Sequence, residues 1–489
     1  MNRTLLVLLP LLLLAAKPAL AEKRGSLEMV PCRLPGASMQ ALCGTLEVLE
    51  DRAQPAGRII HLRIALVPAV ARTPQPDPLF LLAGGPGQAA TEALPSMLTA
   101  AFEKIHKARD LVLVDQRGTG RSNKLACEPV GENASLQERL NAKSFDAKRL
   151  AECVTQALAH ADPRLYTTSI AMQDLDDVRK ALGYDKIDLW GGSYGTRASL
   201  IYLREHGEHA RAVVLDGVAP TTMRLPLDFS RDAQRSLTLL FDACSKEAAC
   251  AKAWPDLTAT FNALLAKFAA GPIPTRVQDP RTGVLSDVTI DRDAFTGLLR
   301  GELYIPDLAA LMPLTLQRAA SGDFAPFVAE GDGLSGGFAD SIAVGMMLSV
   351  LCAEDLSRFD DAAIVEASAN TFLGPEELRD FKRGCERWPH AGLPANFGDP
   401  VKSGVPVLLL SGELDPVTPP HWAEEAKATL SDSAHFVAPG IGHGVSAHGC
   451  APKLIEKFLD AGTARGLDGS CIANQKRPPF FVSFAGPLP

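Results

Sequence analysis

The chain has 489 residues, of which 46% are hydrophobic and 22% charged, and a formal net charge of −8. That balance is ordinary for a globular protein and excludes a collagen-like or wholly disordered chain. Mild acidity argues against nucleic acid as a partner, because phosphate binding asks for a basic face, and the length calls for two domains or one large domain with an insertion.

In chain order, Asn2-Arg3 precede an apolar run over residues 4–16, and Ala19-Leu20-Ala21 follows the small-x-small rule for cleavage. Residues 1–21 therefore read as a signal peptide, too short for a span of roughly 20 apolar residues. No cysteine follows the cleavage point closely and no later run is long and apolar enough to span. The expectation is an exported protein, periplasmic or secreted, with no stable membrane anchor. Export permits disulfides. Cys32, Cys43, Cys127, Cys153, Cys244, Cys250, Cys352, Cys385, Cys450 and Cys471 form five neighbouring pairs along the chain, and bonding between those neighbours is expected. No CxxC or HExxH occurs, so no metal is expected.

Residues 43–50 and 58–67 alternate as antiparallel strands, within an N-terminal lead-in over 22–78. Apolar runs at 79–83 and 110–114 read as buried parallel strands, each followed by a glycine-containing loop. A helix is expected over 169–182 with Ser169 as N-cap, then a strand at 186–190, a helix at 196–206 and a strand at 211–215. From 221 to 400 helical patterns dominate. Alternation resumes with strands at 405–410 and 435–438 and a helix at 451–460. The expected organisation is an α/β core over 79–220 and 401–475, interrupted by a helical insertion over 221–400, with a tail at 476–489. The sequence leaves the oligomeric state open.

Gly191-Gly192-Ser193-Tyr194-Gly195 matches G-x-S-x-G between a strand and a helix, the context in which a strained turn lifts a serine hydroxyl to the sheet edge. Gly333-Leu334-Ser335-Gly336-Gly337 also matches, but no strand precedes it. A serine hydroxyl needs a base, and on this architecture the order is Ser, acid, His. Asp415 follows the 405–410 strand and is the expected acid, ahead of Glu413. His443 lies in a glycine-flanked loop past the next strand and is the expected base; His435 lies inside that strand and His448 further on. The backbone N–H groups of Tyr194 and Gly85 are the expected oxyanion donors, with Gly84 close behind Gly85.

Four motifs carry a resemblance: Gly84-Gly85-Pro86-Gly87, Asp115-Gln116-Arg117-Gly118-Thr119-Gly120-Arg121-Ser122, Gly191-Gly192-Ser193-Tyr194-Gly195, and Gly412-Glu413-Leu414-Asp415-Pro416-Val417-Thr418-Pro419 with Gly442-His443-Gly444. Together they resemble the proline iminopeptidase and tripeptidyl aminopeptidase family of secreted α/β hydrolases. The resemblance implies an α/β-hydrolase fold with a mostly parallel sheet and a large helical cap, and a serine exopeptidase that cuts near free N-termini of peptides without a cofactor. It carries the family's triad onto Ser193, Asp415 and His443. Ala83 departs from the His or Asn that many relatives place before Gly-Gly-Pro-Gly. An exopeptidase must hold an ammonium group, and a buried carboxylate does so by charge-assisted hydrogen bonds. Acidic residues of the insertion do this in the family, which points to Glu354, Asp355 and Glu386; Asp216, at a strand end, is a further possibility. The Asp115-Gln116-Arg117 run reads as a loop buttress containing a buried Asp–Arg pair. The alternatives are a carboxylesterase or lipase and a non-catalytic binding protein on the same fold.

Overall fold

A computed structural model describes residues 21–127, 133–141, 147–335 and 341–487; apart from Ala21, the expected signal peptide lies outside the described residues. Ten strands form one sheet: β1 (Glu22–Arg24), β2 (Leu27–Arg33), β3 (Gln40–Leu49), β4 (Ile59–Val67), β5 (Leu79–Leu82), β6 (Leu111–Val114), β7 (Ile187–Gly192), β8 (Ala210–Asp216), β11 (Val407–Gly412) and β12 (Ser433–Ala438), while β9 (Ile273–Gln278) and β10 (Leu285–Ile290) pair as a separate hairpin. The order is β1-β2-β3-β4-β6-β5-β7-β8-β11-β12. The pairs from β1 through β4 to β6 are antiparallel, and those from β6 to β12 are parallel. β1 and β2, short and half exposed, were not anticipated from the sequence.

The central parallel strands β5, β6 and β11 are apolar and buried almost throughout because helices cover both faces. Alternation then assigns each side chain to a face. Phe80 and Leu82 pack with the helices Thr168–Leu182 and Tyr194–His206, whereas Leu79 and Leu81 pack with the helix Ala451–Ala461. The helix expected from Ser169 starts one residue earlier, after Thr167. Ser169 lies in its first turn and donates to Glu205 instead of capping.

The stretch 221–400 divides between two cores. Its first part, with the β9–β10 hairpin, builds a phenylalanine-rich cap core in which Phe268 and Phe295 stack at 4.8 Å and Phe295 and Phe327 lie 4.9 Å apart. Most of its later part, from Ala343 to Phe397, packs onto the sheet side with Phe80 and Leu189, while Phe372 and Leu373 join the cap core. The cause lies in the helix Val344–Glu354, which is apolar almost all round and so must be buried on every side. Among the described residues, three outside segments enter the cap core: Leu136 and Leu140, Leu414, and Phe480. The ten cysteines are joined as Cys32–Cys43, Cys127–Cys153, Cys244–Cys250, Cys352–Cys385 and Cys450–Cys471. Among the described residues, no helix is long and apolar enough to cross a membrane.

Candidate active site

β7 runs into Ser193, and a helix begins at Tyr194. Ser193 has φ 55° and ψ −124°, a region that a residue with a side chain occupies only under constraint. The constraint is the contact between strand, helix and β5. A Cβ on Gly191 would lie 2.2 Å from the Gly195 carbonyl oxygen, and one on Gly195 would lie 2.3 Å from that of Leu82. Neither position accepts a side chain. The turn is tied down by the Ser193 N–H, which donates to the Asp216 carbonyl at 2.9 Å, and by the Thr196 hydroxyl, which donates to the Ser193 carbonyl.

β11 ends at Gly412, and Asp415 in the following loop is fully buried. Its Oδ1 accepts the N–H groups of Val417 and Thr418 at 2.9 and 2.8 Å. Its Oδ2 accepts the Thr418 hydroxyl at 2.8 Å and lies 2.8 Å from His443 Nδ1. Burial alone would raise the Asp415 pKa, but the charge and hydrogen bonds it receives hold it below the usual carboxylate value. His443 shows the converse. Burial alone would lower its pKa, but the Asp415 charge and hydrogen bond lift it above the ordinary histidine value.

The His443 loop follows β12 and is held from three directions. The His443 N–H donates to the Tyr304 carbonyl at 3.0 Å, and the Tyr304 ring packs edge-on against the imidazole at 5.1 Å. The Asp216 carboxylate accepts the Val445 and Ser446 N–H groups at 2.8 and 2.7 Å. Asp216 thus ties the loop after His443 to the strand whose carbonyl holds Ser193. Gly217 needs its positive φ, and a Cβ there would lie 3.2 Å from His443 Cε1. Among the described residues, no hydrogen bond joins the Ser193 hydroxyl to the imidazole; such contacts commonly close only when substrate binds.

The Gly84–Gly87 loop leaves β5 against the elbow, where a Cβ on Gly84 would lie 3.0 Å from Ser193 Cβ. Tyr194 is the first residue of its helix, so its N–H has no intrahelical acceptor. Gly84 therefore brings the β5 loop against Ser193, next to the start of the helix at Tyr194.

The other expected residues occupy varied environments. Glu413 accepts the Gly440 N–H at 2.9 Å, bracing the His443 loop. His435 lies between Glu424 and Ser411 at 2.6 and 2.9 Å, a packed strand residue. His448 lies in the turn beyond Val445, to whose carbonyl its N–H donates. The second G-x-S-x-G run extends outside the described residues; its first part belongs to the π-helical segment Ala329–Ser335, with no strand before it. Asp355 is fully buried, and its carboxylate is closed by Arg197 Nη1 at 2.9 and 2.8 Å and by the Leu225 N–H at 2.9 Å. Glu386 is exposed at the end of the helix Glu376–Cys385. Glu354 is buried, and its oxygens accept the Thr168 N–H at 2.6 Å and hydroxyl at 2.7 Å. The Thr168 hydroxyl also lies 2.7 Å from the Tyr194 hydroxyl. Burial pushes the Glu354 pKa up to about 7. The expected Asp115–Arg117 pair is not formed. Asp115 accepts the Thr91 N–H and hydroxyl, while Arg117 forks onto Asp174 at 2.6 and 2.9 Å. Each still buttresses the loop, with a partner far along the chain. Sequence reasoning did not single out Thr418 and Tyr304; only the Thr418 hydroxyl, three residues past an aspartate, offered a turn signal.

Residues 77–249 match the family model described as alpha/beta hydrolase fold, and residues 370–471 match the TAP-like protein model. The chain is similar to serine protease Hip1 of Mycobacterium tuberculosis, 28% identical over 256 residues that make up 48% of each chain. It is also similar to the tripeptidyl aminopeptidase of Streptomyces lividans, 30% identical over 192 residues covering 36% of this chain and 35% of that one. Carboxylesterase B of M. tuberculosis is 29% identical over 421 residues, 78% of this chain and 76% of that one. The chain thus spans about half the length, or less, of the first curated relatives it matches.

Proposed function

We propose that this chain, which belongs to the α/β hydrolases and carries a TAP-like C-terminal region, is an exported serine peptidase that cuts near free N-termini of peptides, of the prolyl or tripeptidyl type. One observation supports it above all: the buried Asp415–His443 contact of 2.8 Å beside a serine held at φ 55°. In this reading His443 Nε2 takes the Ser193 proton as Oγ attacks the scissile carbonyl. The Tyr194 and Gly85 N–H groups stabilise the oxyanion. The imidazolium, stabilised by Asp415, then protonates the leaving amine. Water, activated by the same imidazole, releases the acyl group.

Of the three carboxylates expected to hold the substrate ammonium, Glu354 stands beside the elbow. Its oxygens are committed to Thr168, so in this reading it acts through Thr168 and Tyr194. Export is supported by the N-terminal run and the five disulfides.

The test pairs fluorophosphonate labelling with product analysis. Labelling is expected at Ser193 and is lost in Ser193→Ala, and free-amine peptides are expected to release short N-terminal pieces while acetylated ones do not. Labelling with ester turnover but no peptide cleavage would favour the second reading, a carboxylesterase, which the wide match to carboxylesterase B supports. Absence of labelling in folded protein would reject both.

A further inference from the structure

The residues that follow the last short helix, Ser470–Ala473, do more than trail off the fold. The Cys450–Cys471 disulfide fixes their origin to the start of the helix Ala451–Ala461. Gln475 Nε2 then donates to the His448 carbonyl at 3.2 Å. Arg477 lies directly over Gly440, where a Cβ would meet Arg477 Cβ at 2.7 Å and its backbone nitrogen at 2.9 Å. Gly440 opens the loop that carries His443, and its own N–H is held by Glu413.

The chain next crosses to the cap. Arg477 pairs with Glu247, which also accepts the Phe480 N–H at 3.1 Å. The Arg477 guanidinium stacks 3.6 Å from the centre of the Phe480 ring. Phe480 itself is fully buried in the cap core, the same core that takes Leu414 from the Asp415 loop. The Phe481 N–H closes the crossing on the Ala310 carbonyl at 3.1 Å. One short segment therefore touches the His443 loop and the cap, and shares the cap core with Leu414 of the Asp415 loop.

We infer that residues 475–481 are a strap that holds the acid and histidine loops in register beneath the cap, with Phe480 and Arg477 as positioning residues for the reaction. The inference rests on the serine-hydrolase reading. The strap touches no reacting atom; it acts by limiting how far Gly440 and Leu414 can shift, and with them His443 and Asp415.

The experiment compares the full chain with Phe480→Ala, Phe480→Leu, Arg477→Gln and Glu247→Gln, using p-nitrophenyl acetate, a substrate too small to need the cap. Each protein is assayed well below its measured Tm. Phe480→Ala is expected to lower kcat about tenfold with KM little changed, as expected when a reacting group is displaced by a fraction of an ångström. Phe480→Leu restores most of it, and Arg477→Gln and Glu247→Gln show smaller losses of kcat that do not add when the two substitutions are combined in one chain. A strap that merely stabilised the cap would lower Tm and leave kcat on this ester unchanged; kcat within twofold of the parent in Phe480→Ala and Arg477→Gln would overturn the inference. Should Phe480→Ala fail to fold, the Arg477 and Glu247 variants decide alone. Ester turnover that persists in Ser193→Ala would instead reject the underlying reading, so the two failures are told apart.

Discussion

Ser193 is held by its own turn and by the neighbouring strands of the sheet, whereas the Asp415 and His443 loops, besides their local hydrogen bonds, are held by the cap and the tail. At the elbow the restraining atoms belong to Gly191, Gly195 and Thr196, with β5 behind them. At the other two loops, restraints from the cap and the tail add to those from Val417, Thr418, Glu413 and Asp216. Ser236 donates to the Leu414 carbonyl at 2.6 Å and Arg235 to the Glu413 carbonyl at 2.9 Å, both from the cap helix Phe229–Lys246. The Tyr304 carbonyl takes the His443 N–H. The geometry of the proposed nucleophile is thus built largely into the sheet, while the proposed proton relay also leans on the cap. A cap that loosens for substrate entry would disturb the relay before the elbow.

The largest test removes the relay and leaves the elbow. Asp415→Asn is expected to lower kcat by about 10⁴, since the imidazole loses its tautomer control and its counter-charge. Circular dichroism and Tm should show a folded protein; a loss under tenfold would show that His443 is oriented without Asp415.

The converse test breaks the elbow and leaves the relay. Gly195→Ala places a methyl 2.3 Å from the Leu82 carbonyl oxygen, and the required shift of Ser193 should lower kcat about 10²-fold. Because Asp415 and His443 are untouched, the acid limb of the residual activity should keep the parent midpoint. A moved midpoint would mean that the two halves of the site are not separately held.

The smallest effect concerns pH. In the proposed mechanism His443 must be neutral to accept a proton, and its pKa is raised, with Asp415 overriding the effect of burial. Activity should therefore rise with pH through a midpoint above the ordinary histidine value and be lost on acidification below it. Loosening the acid loop with Ser236→Ala should move that midpoint down by a few tenths of a pH unit, a change of well under 1 kcal/mol. No movement would show that the cap helix does not tune the relay. A parent midpoint at or below the ordinary value would contradict the Asp415–His443 coupling.

What could be read from the residues alone was local. Apolar runs of a few residues bounded by glycine-rich loops mark the parallel strands, because such strands are buried on both faces. G-x-S-x-G between a strand and a helix marks the elbow, because only glycine fits where the carbonyls of Gly195 and Leu82 close in. The cysteine neighbours along the chain are bonded neighbours in space. Tertiary structure alone decided the partners of the charges. Arg117 chose Asp174, 57 residues away, over Asp115, two residues away. Asp355 was closed by Arg197 across 158 residues, and Glu354 by Thr168 across 186. Likewise, nothing in the composition of residues 221–400 said that their helices serve two cores, or that a phenylalanine in the tail completes one of them. Periodicity records which side of an element is buried, but not against what. A buried charge takes whichever partner the packed chain brings within hydrogen-bond reach, and that is settled only when distant segments meet.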